Sequence, residues 1–298
     1  MTVADTTIRI VFRGVRGSYP MPGPTTLRYG GNTSCQEIRA GGRLLIFDAG
    51  TGIIGLGQDL AQEGVPKHIA LFFSHNHHDH TSGLLYFKPA YNPNVTMHIY
   101  GPTEERGSIL NTLEDLSSPV AHPVQLSKMG MKFTCDTIDS GTVVVWSPGD
   151  VTPRIIAPEE KTSPGDVVVR VLKNSVHPLA GVLNLRLEYA GKSYVYATDV
   201  EGDPEKGDSL LAGFARGADL LAHDGQYTDE EYESLRKGWG HSTIRMAVKT
   251  AEMAGVDRLA IIHHDPGYSD DQLDRMAEEA KALLPGAFLA REGQEITL

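Results

Sequence analysis

The residues richest in chemistry lie in one run, His75-Asn76-His77-His78-Asp79-His80, where four histidines and an aspartate fall within six residues. Imidazole and carboxylate donors together suit zinc, manganese or iron. A cluster this dense packs poorly as core, because each ring would need its own polar partner. A solvated polar turn or a tag-like histidine tract would also account for the composition, but the ordered spacing His-x-His-x-Asp-His favours a metal site. Residues of ligand type recur further along: His177, Asp199, His223-Asp224, His241 and His263-His264.

The elements that must position these groups are legible as apolar runs. Ile69 to Phe73 leads into the cluster and reads as a buried strand. Strands are also predicted at 7–13, 44–47 (ending at Asp48), 95–100, 143–146, 154–156, 167–172, 183–189, 194–198, 220–222 and 259–262, with a short one at the end. The strand at 167–172 leads to Ser175-Val176-His177-Pro178. Helices are predicted at 53–63, 84–87, 102–116, 208–216, 229–237, 243–254 and 270–283. Ligand-type residues therefore stand at the ends of successive strands, where open α/β folds hold their sites. A Gly- and Pro-rich loop from Arg13 to Ser34 separates the first two strands, and its Arg13, Arg16 and Arg28 could meet a phosphate or stand in solvent. Residues 146–166 read as a surface excursion with turns at Ser147-Pro148-Gly149-Asp150 and Ser163-Pro164-Gly165-Asp166. We read 1–298 as a single domain carrying that insertion.

The pattern His75-x-His77-x-Asp79-His80 resembles the signature of the metallo-β-lactamase superfamily. The resemblance implies a four-layer αββα fold, two mixed sheets sandwiched between helices. It also implies a dinuclear site, with His75, His77, His177 and Asp199 on one metal and Asp79, His80, His263 and Asp199 on the other. His78 would be unliganded, and His263 rather than His264 would be the ligand. Asp48-Ala49-Gly50-Thr51-Gly52 is similar to the turn whose aspartate braces the metal loop in that superfamily. His223-Asp224-Gly225-Gln226, Gly240-His241-Ser242-Thr243 and Ile261-Ile262-His263-His264-Asp265-Pro266 resemble the Z-type tRNA 3′-processing ribonucleases and their cyclic-phosphodiesterase cousins. There the corresponding histidine is the general acid, so His241 would be the acid and Asp224 its partner, with Asp79 also in the catalytic set. Asp224-Gly225-Gln226 departs from the Glu-Ala-Thr of the tRNA enzymes, and no basic, Gly/Pro-flanked arm is evident. The chain resembles more closely the members that hydrolyse cyclic nucleotides, which also implies a homodimer.

Composition bounds the partners. The 298 residues are 40% hydrophobic and 22% charged, as in ordinary globular proteins. No apolar run reaches signal-peptide or membrane-spanning length, so the expectation is a cytoplasmic protein with no membrane partner. Two cysteines far apart, Cys35 and Cys135, give no disulfide framework and no thiolate metal site. A formal charge of −11 argues against long nucleic acids bound through many phosphate contacts. A small anionic phosphodiester remains open, because two bound cations reverse the field inside one pocket.

The expected reaction is metal-dependent phosphodiester hydrolysis, most of all of a small cyclic nucleotide. A metal-bridging hydroxide would attack phosphorus and His241 would protonate the departing oxygen. Zinc is expected first, with manganese or iron open. The alternatives are a lactone, thioester or β-lactam hydrolase on the same metals, a tRNA 3′-processing endoribonuclease, and a non-catalytic binding member of the fold. His68, His98 and His122 read as structural or surface residues, and Arg245, Lys249 and Glu252 as a solvated helix face.

Overall fold

Side chains on successive strand residues point to opposite faces, and here both faces are apolar. Leu45 and Phe47 enter one cluster while Leu44 and Ile46 enter another; Tyr194 and Tyr196 divide from Val195 and Ala197 in the same way. Strands of this kind must be covered on both sides, which dictates layers.

The computed structural model describes residues 6–104, 107–177 and 181–298. Among them, one sheet has seven strands in the order Glu295–Thr297, Ile8–Gly14, Cys35–Ala40, Arg43–Phe47, His68–Phe72, Thr96–Gly101, Lys132–Thr137. The other has eight, in the order Arg154–Ile156, Val143–Trp146, Val167–Asn174, Val182–Tyr189, Lys192–Ala197, Leu220–Asp224, Leu259–Ile262, Ala287–Leu289. Each sheet is antiparallel through its first four strands, and each strand from the fourth or fifth onward pairs in parallel with the next. The sheets face one another across a shared core. In it Phe47 meets Phe72, Tyr194 and Tyr196 at ring-centroid distances of 5.7, 6.3 and 5.9 Å. Burying each such side chain contributes roughly 1.5–3 kcal/mol.

Helices Gly52–Glu63 and Ile109–Leu116 cover the outer face of the first sheet, and Ser209–Phe214, Ile244–Ala254 and Asp270–Leu283 that of the second. The result is the expected four-layer αββα arrangement. Residues 146–166 contain two local turns, Ser147 N donating to Asp150 Oδ2 at 3.0 Å and Ser163 N to Asp166 Oδ2 at 2.7 Å. Among the described residues, no helix is long and apolar enough to cross a membrane.

Several elements differ from the sequence reading. The sequence reading assigns no element to Cys35–Ala40, a strand whose apolar pattern is broken by Gln36, Glu37 and Arg39. Glu37 is fully buried all the same, held by Arg13 Nε at 2.8 Å and Arg39 Nε at 2.7 Å. The helix expected from Pro102 begins only at Ile109, after a two-residue hairpin closed at Gly107, whose φ of 132° no helix accommodates; residues 105–106 of that expectation lie outside the described residues. Of the stretch 84–87, residues 84–86 fall in a 3-10 turn, Ser82–Tyr86. Residues 229–237 form one α-turn followed by a π-turn, Tyr232–Arg236. The short strand expected at the end is present as Glu295–Thr297 and pairs with Ile8–Gly14 of the first sheet. Each arginine of the long loop is engaged by carboxylates or carbonyls, Arg28 from an exposed position. Arg13 pairs with Glu37 and Asp59, Arg28 with Asp271 and Asp274, and Arg16 is fully buried against the carbonyls of Gly30, Asp265 and Tyr268.

Candidate active site

Asp48, the His75–His80 run, Asp199, Asp224 and His263 all follow the carboxyl ends of strands, so one edge of the sandwich gathers them. Three of these turns are made by residues that rarely adopt the left-handed region: Asp48 at φ 60°, Asp199 at φ 53° and His263 at φ 63°. Each such backbone costs roughly 1–3 kcal/mol and persists only where the surroundings hold it. The benefit is orientation, since each turn aims a polar side chain across the strand ends. Gly17 closes the site on one side, and a Cβ there would stand 2.4 Å from the His263 ring.

Asp48 is buried and accepts four hydrogen bonds, from Ser74 N (2.7 Å), Ser74 Oγ (2.8 Å), His80 Nδ1 (2.8 Å) and Tyr196 OH (2.8 Å). It thereby ties the histidine loop to both sheets. A carboxylate only accepts, so His80 carries a proton on Nδ1 and turns Nε2 inward. That Nε2 stands 3.1 Å from Asp79 Oδ2 and 3.2 Å from Asp199 Oδ2. His263 Nε2 faces the same two oxygens at 3.3 and 3.2 Å. Asp79 Oδ2 also accepts from Ser18 N at 2.7 Å.

The remaining predicted ligands meet alongside. Ser74 Oγ already donates to Asp48, so it accepts from His75 Nδ1 at 3.0 Å and leaves His75 Nε2 as a lone pair. The Gly240 carbonyl likewise takes the Nδ1 proton of His177 at 3.3 Å. Both bare nitrogens then point at His77 Nδ1, at 2.9 and 3.3 Å, and His75 Nε2 lies 3.6 Å from Asp199 Oδ1. His75, His177 and Asp199 are buried, and His77 is the exposed member.

This donor set fits divalent cations. Among the described residues the ligand atoms of His75, His77, His177 and Asp199 lie within 4.8 Å of one another, as do those of Asp79, His80 and His263. Two lone pairs converge on a single imidazole nitrogen that can donate to only one of them. Among the described residues, the buried atoms His80 Nε2 and His263 Nδ1 have no hydrogen-bond partner. Charge points the same way. Burial disfavours a charged His80 or His263, yet the carboxylates of Asp79 and Asp199 outweigh it, raising His80 well above the ordinary value and His263 to about 9. Burial first, then the neighbouring rings, lower His75 and His77. The carboxylates thus favour positive charge on the Asp79–Asp199 side of the pocket, while burial withholds it from His75 and His77.

Asp224 stands behind the cluster, fully buried. Its Oδ1 accepts from Gln226 N (3.1 Å) and Ser242 N (3.0 Å), and its Oδ2 from Asp199 N (3.1 Å) and His241 Nδ1 (2.8 Å). His241 stacks on His263 at 4.9 Å, and its ring offers a nitrogen within 4.8 Å of ligand atoms of Asp199 and His263. His264, by contrast, is turned away, its Nε2 donating to the Ala290 carbonyl at 2.8 Å. His78 is exposed and, with Asn76, Asn111 and Asp115, lines a cavity of about 380 Å³ beside the cluster. His68 stacks on His98, and His122 Nδ1 bonds the backbone of Val124. Pro178, next to His177, lies outside the described residues.

Sequence reasoning missed the groups that hold these side chains. Tyr196 read only as a strand residue, and Ser18 only as part of a loop. Glu201 was also passed over, although it clamps the loop before His241: Oε1 accepts from Tyr232 OH and Gly238 N, both at 2.7 Å, and Oε2 from Gly240 N at 2.8 Å. Its one signal was its place two residues after Asp199.

The fold and the clustered donors define the class: the chain belongs to the beta-lactamase superfamily, whose domain model matches residues 43–264. It is similar to the Ribonuclease Z of Picrophilus torridus, 25% identical over 322 residues that cover 98% of this chain and 96% of that one. A shorter match to the Ribonuclease Z of Gemmatimonas aurantiaca is 40% identical over 99 residues, covering 33% of this chain and 31% of the relative. Among solved structures, zinc-bound PqqB from Methylobacterium extorquens shares the fold, with a TM-score of 0.65 at 18% identity over 97% of this chain and 100% of the other.

Proposed function

We propose that this protein is a dinuclear metal-dependent phosphodiesterase. In this reading His75, His77, His177 and Asp199 hold one cation, Asp79, His80, His263 and Asp199 hold the second, and zinc is the metal, as in PqqB. Cations bound there supply an activated water near neutral pH and neutralise phosphoryl oxygens. The chain's own residues do the rest. Asp224 fixes the Nδ1 proton of His241, so the opposite nitrogen of that ring faces the cluster. A proton on that nitrogen passes to the departing oxygen. Asp48 orients His80, and the Gly240 carbonyl orients His177. The observation that carries the reading is the 2.8 Å bond from His241 to Asp224 at the edge of the ligand cluster. Cleavage at an activated carboxylic ester does not call for that acid.

Similarity to Ribonuclease Z over nearly the full length of both chains supports an RNA substrate, the 3′ end of a tRNA precursor, ahead of the cyclic nucleotide expected from sequence. One observation keeps the small cyclic nucleotide as a second reading. The chain carries a formal charge of −11, and its excursion sets Asp150, Glu159, Glu160 and Asp166 against only Arg154 and Lys161. Zinc-loaded protein incubated with a trailer-bearing tRNA precursor and a panel of 3′,5′- and 2′,3′-cyclic nucleotides tests both, with Asp199→Ala as control. Turnover of one class, lost in the variant, supports the reading and selects the substrate. Silence on every phosphodiester from protein shown to hold two metals would overturn it.

A further inference from the structure

Trp239 stands two residues before His241 and is 53% exposed, although indole is a ring that folded proteins mostly bury. It is not a loose side chain. Glu201 grips the backbone on either side of it, at Gly238 N and Gly240 N. The Arg236 guanidinium lies over the indole with Cζ 4.5 Å from the ring centroid, and also 5.4 Å from the centroid of Tyr227. Tyr227 is buried and meets the His241 ring edge-on at 5.7 Å. The order Trp239, Arg236, Tyr227, His241 is therefore a continuous stack that runs from solvent to the proposed acid. Its cation is set by the π-turn Tyr232–Arg236, in which Lys237 N donates to Tyr232 O at 3.0 Å. Among the described residues no carboxylate lies within ion-pair distance of Arg236, so its charge is spread over rings rather than neutralised.

An exposed indole fixed beside a cation is the arrangement that takes a nucleobase, since every base has a π-face and stacking tolerates sequence. In the phosphodiesterase reading it also lies on the departing side of the reaction, joined through Arg236 and Tyr227 to the group that protonates the leaving oxygen. We propose that Trp239, positioned by Arg236 and Glu201, is the stacking platform for the base of the nucleoside that carries the departing oxygen. The inference rests on the phosphodiesterase reading and adds the requirement that the leaving group be a nucleoside. It holds for an RNA end and for a cyclic nucleotide alike.

Two measurements test it on the full-length, zinc-loaded protein. The chain has two tryptophans, and the other, Trp146, is buried, so ligand-dependent emission changes report on Trp239. Adenosine monophosphate should quench that emission and ribose 5-phosphate should not; the response should vanish in Trp239→Phe, which lacks the fluorophore. In turnover, a diester with adenosine on the departing side should be preferred over its abasic counterpart roughly tenfold or more in kcat/KM. Trp239→Ala should bring that ratio close to one, while Trp239→Phe, which keeps a stacking ring, should retain most of it. Equal quenching by both probes, or an unchanged ratio in Trp239→Ala, would overturn the platform. Base-dependent quenching in a protein that cleaves no diester would instead leave the platform standing and remove the phosphodiesterase reading.

Discussion

At the scale of single residues, Asp224 decides how the proposed acid is presented. Its two oxygens face four N–H donors, so an amide in its place turns its NH2 toward donors whichever way it flips. Asp224→Asn should therefore lower turnover by roughly 10²–10⁴, through loss of the His241 tautomer and orientation. It should also lower stability by about 1–3 kcal/mol, from donors left unsatisfied. Turnover and thermal melting measured on the same preparation check both. His264 makes a prediction of another kind. Burial lowers its pKa from 6.5 to about 3. The unfolded chain takes up that proton below about pH 6.5 and the folded protein does not, so the stabilising contribution is complete above 6.5 and is lost as pH falls from 6.5 toward 3. The slope approaches about 1.4 kcal/mol per pH unit. His264→Gln keeps a donor for the Ala290 carbonyl but does not titrate, and denaturant midpoints between pH 7 and 4 should fall less steeply by one proton. Parallel curves for the two proteins would show that the ring is not held neutral.

At the scale of elements, apolar alternation made most strands legible, and with them the places where chain ends of strands deliver ligand-type residues. The loop after Phe73, the turn at Asp199 and the turn at His263 could be located because an apolar run stops at each. What could not be read is how distant elements hold one another. Strand Cys35–Ala40 conceals a buried Glu37 whose charge is met by Arg13 and Arg39 from neighbouring positions on the sheet, and no local pattern signals that pairing. Arg16 reads from sequence as open to a phosphate or to solvent, because its carbonyl partners lie as far as 252 positions away. Glu201 went unread for the same reason, as its partners are the backbone of a loop some 37–39 residues on. That clamp gives a prediction at its own scale. Glu201→Gln should leave metal content intact and lower kcat roughly tenfold to hundredfold, because the His241 loop loses its fixed geometry. Metal analysis alongside steady-state kinetics separates this from simple loss of the site.

At the scale of the whole molecule, two sheets are held face to face by an aromatic core, and both contribute to one edge where lone pairs and carboxylates crowd. Cations bound only by the folded protein stabilise it by mass action, by about 4 kcal/mol at a thousandfold excess over Kd. Chelation should accordingly lower the melting temperature, and zinc should restore it in proportion to the logarithm of its concentration; a melting temperature indifferent to zinc would mean that the cluster holds none. The central claim is that the protein drives off a poor leaving group by protonating it from His241. The most direct test compares wild type with His241→Ala, both metal-loaded, on diesters whose leaving groups range from nitrophenol to ribose. His241→Ala should lose roughly 10²–10⁴ on the ribose leaving group and little on nitrophenol. Equal losses across the series would contradict the claim.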